Sequence, residues 1–248
     1  MVTVILNCDC GEGVADDAAI LPYVTAANIA CGGHAGDERT MRETLRLCRQ
    51  LGVSAGAHPS FPDRVHFGRR VLPLSPEAVA QCVHDQVQHL LRLAEAEGIA
   101  LVHVKPHGAL YNHAARHSAY AEAVARAVAA CDPQLVLVGP PNSALIAAAE
   151  AIGLRVWREA FADRAYERDG TLRSRELPGA LIEDPSACLA QAEAILLHRR
   201  VRAHDGAWVP IEADTLCIHS DTPGAAVRAA FLREGLARAG VAIARPTR

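Results

Sequence analysis

Short apolar runs alternate along the chain with longer amphipathic stretches. Residues 3–8, 26–30, 53–57, 101–105, 135–138, 155–160 and 215–218 are runs of strand length. Helical patterns separate them. Met41, Leu45, Cys48 and Leu51 recur on one face behind a capping Asp37, and Gly52 follows. Ser75-Pro76-Glu77 supplies a cap and a proline at the first helical position. Val79, Val83, Val87, Leu90 and Ala94 then form a buried stripe with Gln86 beside it, and Gly98 stops the helix. Further helices are predicted over 119–130, from Asn142 or Ser143 to before Gly153, from Asp184-Pro185 to about Arg199, and from Thr222-Pro223 to Gly240. Strand followed by helix, repeated, predicts a parallel α/β protein.

Strand parity refines this. Ile5, Asn7 and Asp9 share a face; so do His103 and Lys105, Trp157 and Glu159, and Cys217 and His219. One face of each of these strands turns polar towards its C-terminal end. A barrel lumen whose mouth is an active site has that signature.

The length, 248 residues, suits one (β/α) barrel, and no linker or repeat divides it, so a single domain over 1–248 is expected. Half the residues are hydrophobic but only 4% are aromatic, so Ala, Val and Leu fill the core. A net charge of −3 argues against nucleic acid or an anionic membrane surface as partner. The first seven residues have no basic stretch before their apolar run, unlike a signal peptide, and no segment approaches the ~20 apolar residues of a membrane span. Eight cysteines, mostly within apolar elements and without a CxxC, read as buried thiols in a reducing cytoplasm. Residues 60–73 and 163–179 are long polar connections, the second a lid or a partner contact. Residues 204–208 read as a hairpin turn.

Candidate chemistry clusters where the apolar runs end. Asp9 is a general base or metal ligand; Glu12 fits either such a role or a Gly-Glu-Gly turn. Gly32, Gly33 and the turn into Asp37 offer backbone N–H groups to an anion, with His34 framed by glycines and Asp37 as the cap. His58 stands near Asp63 and Arg64. Arg64 is a candidate for bidentate binding of phosphate or carboxylate, whereas Arg69 and Arg70 read as solvated loop arginines. His103 and His107 are four residues apart on a strand, ~13 Å if extended, so they share no metal unless Pro106 turns the chain. Lys105 and His107 are therefore the expected pair, and His103 is structural. Lys105 serves as an oxyanion or phosphate ligand, or as a buried partner of Asp9 or Glu159. Asp163 and Arg164 belong to the site or clamp each other; His219 is a proton carrier, and Asp221 a helix cap.

Six stretches carry a family resemblance: Leu6-Asn-Cys-Asp-Cys-Gly-Glu12, Ala27 to Asp37, Gly56-Ala-His-Pro-Ser-Phe-Pro-Asp-Arg64, His103-Val-Lys-Pro-His-Gly-Ala-Leu-Tyr-Asn112, Phe161-Ala-Asp-Arg-Ala-Tyr166 with Asp169-Gly-Thr171, and Cys217-Ile-His-Ser-Asp-Thr-Pro-Gly224. In this order they resemble the LamB/YcsF family, known as the A subunit of the ATP-dependent 5-oxoprolinase. The resemblance implies an irregular seven-stranded (β/α) barrel, TIM-barrel-like and of the glycoside hydrolase/deacetylase type. It implies opening of the lactam of 5-oxo-L-proline to L-glutamate, with ATP hydrolysed to ADP and phosphate and with subunits B and C as partners. ATP is the implied cofactor, with a divalent metal, magnesium, beside it.

On this reading Asp9, Lys105, His107 and His219 are catalytic, and Gly32, Gly33, His34, His58, Arg64, Glu159 and Asp163 bind substrate or phosphate; Asp9, His34 and His107 are the metal candidates. Gly33 stands where the family usually has phenylalanine, Ser220 where it has glycine, and Arg173-Ser174 where Val-Pro is expected. No G-x-x-x-x-G-K-[ST] occurs, so ATP binds an unorthodox pocket or chiefly a partner. The alternatives are a stand-alone metal-dependent deacetylase-type hydrolase and a non-catalytic binding subunit.

Overall fold

The computed structural model describes residues 2–14 and 16–246. Seven strands form its centre: β1 (Thr3–Cys10), β2 (Ala26–Ala30), β3 (Ser54–His58), β4 (His103–Val104), β5 (Val136–Gly139), β6 (Val156–Phe161) and, late in the chain, Thr215–Cys217. All pair in parallel, in sequence order, and the last returns to β1 through Ile5↔Thr215 and Asn7↔Cys217, which closes a barrel. Two short strands precede the closing one: β7 (Arg200–Arg202) and β8 (Trp208–Pro210), an antiparallel ribbon around the hairpin expected at 204–208. The closing strand is therefore β9. A short β10 (Ala242–Ile243), not anticipated from sequence because two residues carry no periodicity, pairs with Thr3 and Val4 of β1.

Helices coat the barrel where the apolar stripes predict. A first short turn, α1 (Asp17–Ile20), is followed by α2 (Glu38–Leu51), where Asp37 Oδ1 accepts the Thr40 amide at 2.8 Å; Gly52 closes α2 at φ 66°, a conformation glycine adopts without strain. In α3 (Pro76–Ala96), Ser75 Oγ caps the Ala78 amide and Val79, Val83, Val87 and Leu90 are buried. Two helices follow β4. The sequence predicts only the second, α5 (Ser118–Cys131); the first, α4 (Gly108–Arg116), starts at once after His107, and its glycine start and histidines mask it. Then come α6 (Ala144–Ala151), α7 (Pro185–His198) and α8 (Ala225–Arg238). Asp221 does not cap α8: Gly224, at φ 74°, occupies the cap position without a side-chain bond.

Strand four is shorter than expected, but the ladder is not. The Val102 amide donates to Ala55 O and the Lys105 amide to Ala57 O, both at 2.9 Å, so residues 102–105 stay in register with β3 until Pro106, which has no N–H to donate.

The lumen is polar. Asn7 Nδ2 donates to Glu159 Oε1 (3.0 Å) and Thr215 Oγ1 (2.8 Å); Asn28 Nδ2 donates to Asn7 Oδ1 and Asp9 Oδ1, both at 2.8 Å. Both amide protons of Asn28 being spent, its Oδ1 accepts from His103 Nε2 at 2.7 Å, which fixes the tautomer of His103. The His103 ring lies over Gly56, where a Cβ would come within 2.3 Å of it. These bonds satisfy every amide of the stack and set the orientation of the groups above it.

Candidate active site

A cavity of about 670 Å³ opens at the C-terminal ends of the strands, the end where parallel barrels carry their sites. Its floor is an ion network. Lys105 Nζ donates to Asp9 Oδ1 (2.9 Å) and lies 3.0 Å from Glu159 Oε1 and 3.2 Å from Cys217 Sγ. Burial works against the Lys105 charge, but Asp9, Cys217 and Glu159 outweigh it and hold the ammonium well above its ordinary pKa. Asp9 is the mirror case: burial would raise it, and the attraction of His58 and Lys105 holds it well below the usual carboxylate range. Ser220 Oγ ties the network to β1 by donating to Asp9 O at 2.6 Å.

Beside this floor stand four groups, His58 at the end of β3 and Glu12, His34 and His107 just after β1, β2 and β4. His58 Nε2 and His107 Nδ1 are 2.9 Å apart; His34 stacks on His107 with centroids 3.7 Å apart; and Glu12 Oε1 lies 2.9 Å from His34 Nε2. Burial, with Asp9 and Asp221 nearby, pushes the Glu12 carboxyl up to about 9. Burial drives His34 down to about 2 and His107 well below the imidazole range, with His58 as a further cause for each.

Asp163 and His219 form a carboxylate–imidazole dyad, with His219 close to Asp9 and Cys217 of the floor. His219 Nδ1 lies 3.0 Å from Asp163 Oδ1, and the His219 amide donates to Asp163 Oδ2 at 2.7 Å. Burial would raise Asp163, but these contacts with His219 depress it. With Nδ1 committed to the carboxylate, Nε2 of His219 is the nitrogen left to take a proton.

The outer wall is cationic. Arg69 Nη2 and Arg175 Nη1 both reach Asp221 Oδ2, at 2.6 and 2.9 Å, and Arg116 and Arg173 line the same cavity. Asp221 is thus the anchor of two arginines, and Arg69 stands at the cavity rim, not free in solvent. Arg175 and Arg173 come from the long connection 163–179, which folds over the mouth.

Several expected site residues are placed elsewhere. Arg64 does not reach the cavity: its Nη1 donates to the carbonyls of Gly32 (2.9 Å) and Gly36 (2.8 Å), bracing the turn that carries His34. The Gly32 amide is itself spent on Ala35 O at 2.8 Å. Gly33 faces Gln86 and Ser60, each 2.5 Å from where a Cβ would sit, so their polar side chains occupy the space a larger residue at 33 would need. Asp163 and Arg164 do not clamp each other; Arg164 bonds the carbonyls of Ala180 and Arg173. Lys105 and His107 are not partners either: the first belongs to the floor, the second to the histidine group. The metal candidates separate in the same way, His34 and His107 grouping with Glu12 and His58, and Asp9 with Cys217 and His219. Sequence pattern does not single out the arginines at 116 and 175 for the site and reads Arg69 as solvated; only the length and polarity of 163–179 point towards this wall.

The sequence profile described as the LamB/YcsF family matches residues 4–248. A protein of Chloroflexus aurantiacus, named as the A subunit of 5-oxoprolinase, is 56% identical over 253 residues, covering 100% of both chains. The crystal structure of a lactam utilization protein from Thermus thermophilus superposes with a TM-score of 0.92 at 45% identity, covering 98% of this chain and 100% of the other. At the level of fold alone, a structure of T48 deacetylase with substrate gives 0.50 at 13% identity, covering 98% of this chain and 87% of that one.

Proposed function

This chain belongs to the LamB/YcsF family, and on that premise we propose that it is the A subunit of a 5-oxoprolinase, opening the lactam of 5-oxo-L-proline to L-glutamate with ATP, in complex with B and C subunits. Full-length similarity to a protein named for that role supports the assignment. The observation that carries the chemistry is the Asp163–His219 dyad, whose imidazole lines the same cavity as Arg69, Arg116 and Arg175.

A lactam carbonyl is a weak electrophile, and five-membered ring closure is favourable, so hydrolysis needs coupling. Transfer of the γ-phosphoryl group of ATP to the amide oxygen breaks the bond to ADP and makes the ring carbon electrophilic. Water adds there, His219 Nε2 taking its proton while Asp163 holds the ring. The C–N bond then breaks, the ring nitrogen taking up a proton as it leaves, and a second water releases phosphate from the acyl phosphate. The phosphoryl group and the substrate carboxylate are anions throughout, which suits Arg69, Arg116 and Arg175. All three Lys105 protons have internal partners, so one has to be given up before Lys105 can meet an oxyanion.

Magnesium takes about six oxygen ligands. The Glu12, His34, His58 and His107 group, three imidazoles to one carboxylate, does not fit it, and no step is assigned to magnesium there. No helix among the described residues is long and apolar enough to cross a membrane. Cytoplasmic residence accords with the free thiols.

The test is turnover of 5-oxoproline and ATP by this chain alone and by the mixture with B and C. ADP and glutamate formed in equal amounts by the mixture are expected. A mixture in which omitting this chain changes nothing would end the proposal.

A further inference from the structure

We propose that Glu12, His34, His58 and His107 bind one first-row transition-metal dication of the zinc class. The ligand atoms of these four buried residues all lie within 4.8 Å of one another. Four donors set tetrahedrally about zinc are ~3.4 Å apart, so a small contraction brings this group into a first coordination shell.

Hydrogen bonding fixes which nitrogens face inward. His58 Nδ1 lies 2.7 Å from Lys105 O and His107 Nε2 lies 2.9 Å from Phe67 O. A carbonyl only accepts, so both of these nitrogens carry protons. The remaining nitrogens, His58 Nε2 and His107 Nδ1, then hold bare lone pairs in the neutral rings, and they face each other at 2.9 Å. At that distance a cation, either a metal ion or a proton held by one ring, has to stand between the two lone pairs. Backbone carbonyls behind both rings are the arrangement that orients metal-binding histidines.

The charge balance agrees. Asp9 and Glu159 both contact the single ammonium of Lys105, Asp9 Oδ2 is 3.4 Å from His58 Nε2, and Glu12 Oε1 is 3.5 Å from His107 Nδ1. Two carboxylates against one ammonium leave this buried centre an excess of one negative charge, which a bound cation offsets. Imidazole donors select zinc, cobalt or nickel over magnesium or calcium. The surrounding loop is built to hold the rings: Phe67 packs edge-on against His34 and His107, and a Cβ on Gly68 would stand 2.9 Å from His34 Cβ and 3.0 Å from His107 Cδ2. Glu12, His58 and His107 line the cavity, so the ion would be reachable from it.

The experiment uses the full chain, freed of metal with a chelator and titrated with cobalt(II) and zinc. One equivalent is expected, with the visible absorption of histidine-bound cobalt and a rise in Tm of about 5 °C or more at hundredfold excess over Kd. Glu12→Gln and His34→Gln should each weaken binding at least ~10-fold, while His198→Gln on the exposed end of α7 should not. Glu12→Gln keeps the volume of the side chain and so decides the matter if a histidine variant fails to fold. Absence of stoichiometric uptake, or equal affinity in Glu12→Gln, overturns the site. So does nitrogen NMR showing a proton shared by His58 and His107 that zinc does not displace.

Discussion

Asp163 holds His219 at two points, accepting both its ring Nδ1–H and its backbone amide. One carboxylate thus sets the tautomer of the imidazole and the position of the backbone that carries it. Replacing His219 by Gln should lower kcat of the reconstituted complex by ~10²–10⁴ with little change in substrate affinity. Asp163→Asn should lower kcat too and move its pH profile, because an amide can bond the other tautomer. An unchanged profile in Asp163→Asn would remove Asp163 from its positioning role.

The same carboxylate predicts an acid limb. Its folded pKa lies below the ordinary value of 3.8, so its contribution is fully present above that value and fades as pH falls through the folded one. The stability difference between wild type and Asp163→Asn in urea should therefore be constant near neutrality and shrink below about pH 4. A difference that grows on acidification would contradict this.

Lys105 offsets Asp9 and Glu159 at the buried floor of the cavity. Lys105→Met leaves two buried carboxylates facing each other and should cost roughly 3–5 kcal/mol, read from urea midpoints. Adding Glu159→Gln should recover part of that loss; a double variant as unstable as the sum of the singles would argue against the pairing.

Gly56 is there because His103 lies over it. Gly56→Ala should destabilise by about 1–3 kcal/mol, and His103→Ala in the same chain should make the alanine cheaper than it is alone. Additive losses by calorimetry would show that the ring is not what the alanine meets.

Arg69 and Arg175 share Asp221 at the cavity mouth. Alanine at either should raise KM for one of the anionic substrates about tenfold, near 1.4 kcal/mol, and leave Tm within a degree or two. A fall in kcat at constant KM would point to the chemical step instead.

Much of the barrel was legible in the chain. Apolar periodicity located seven parallel strands and their covering helices because burial on a sheet and on a helix face imposes different repeats. Parity alone put Asn7, Asp9, His103, Lys105 and Glu159 on one surface, since side chains of a strand alternate. It missed α1, α4 and β10, whose stabilising contacts lie elsewhere in the fold.

What the sequence determined by itself is therefore the order of the elements, the inward faces and the rim at which polar groups collect. Only the tertiary structure decided who meets whom: His58 with His107, Asp163 with His219, Asp221 with two arginines, and Arg64 with the carbonyls of a turn. Inward-facing positions follow from local backbone geometry, which a few neighbouring residues set. Partners across the rim depend on loop paths and on which buried charge or lone pair has no other mate, and that is settled only when every strand is in place.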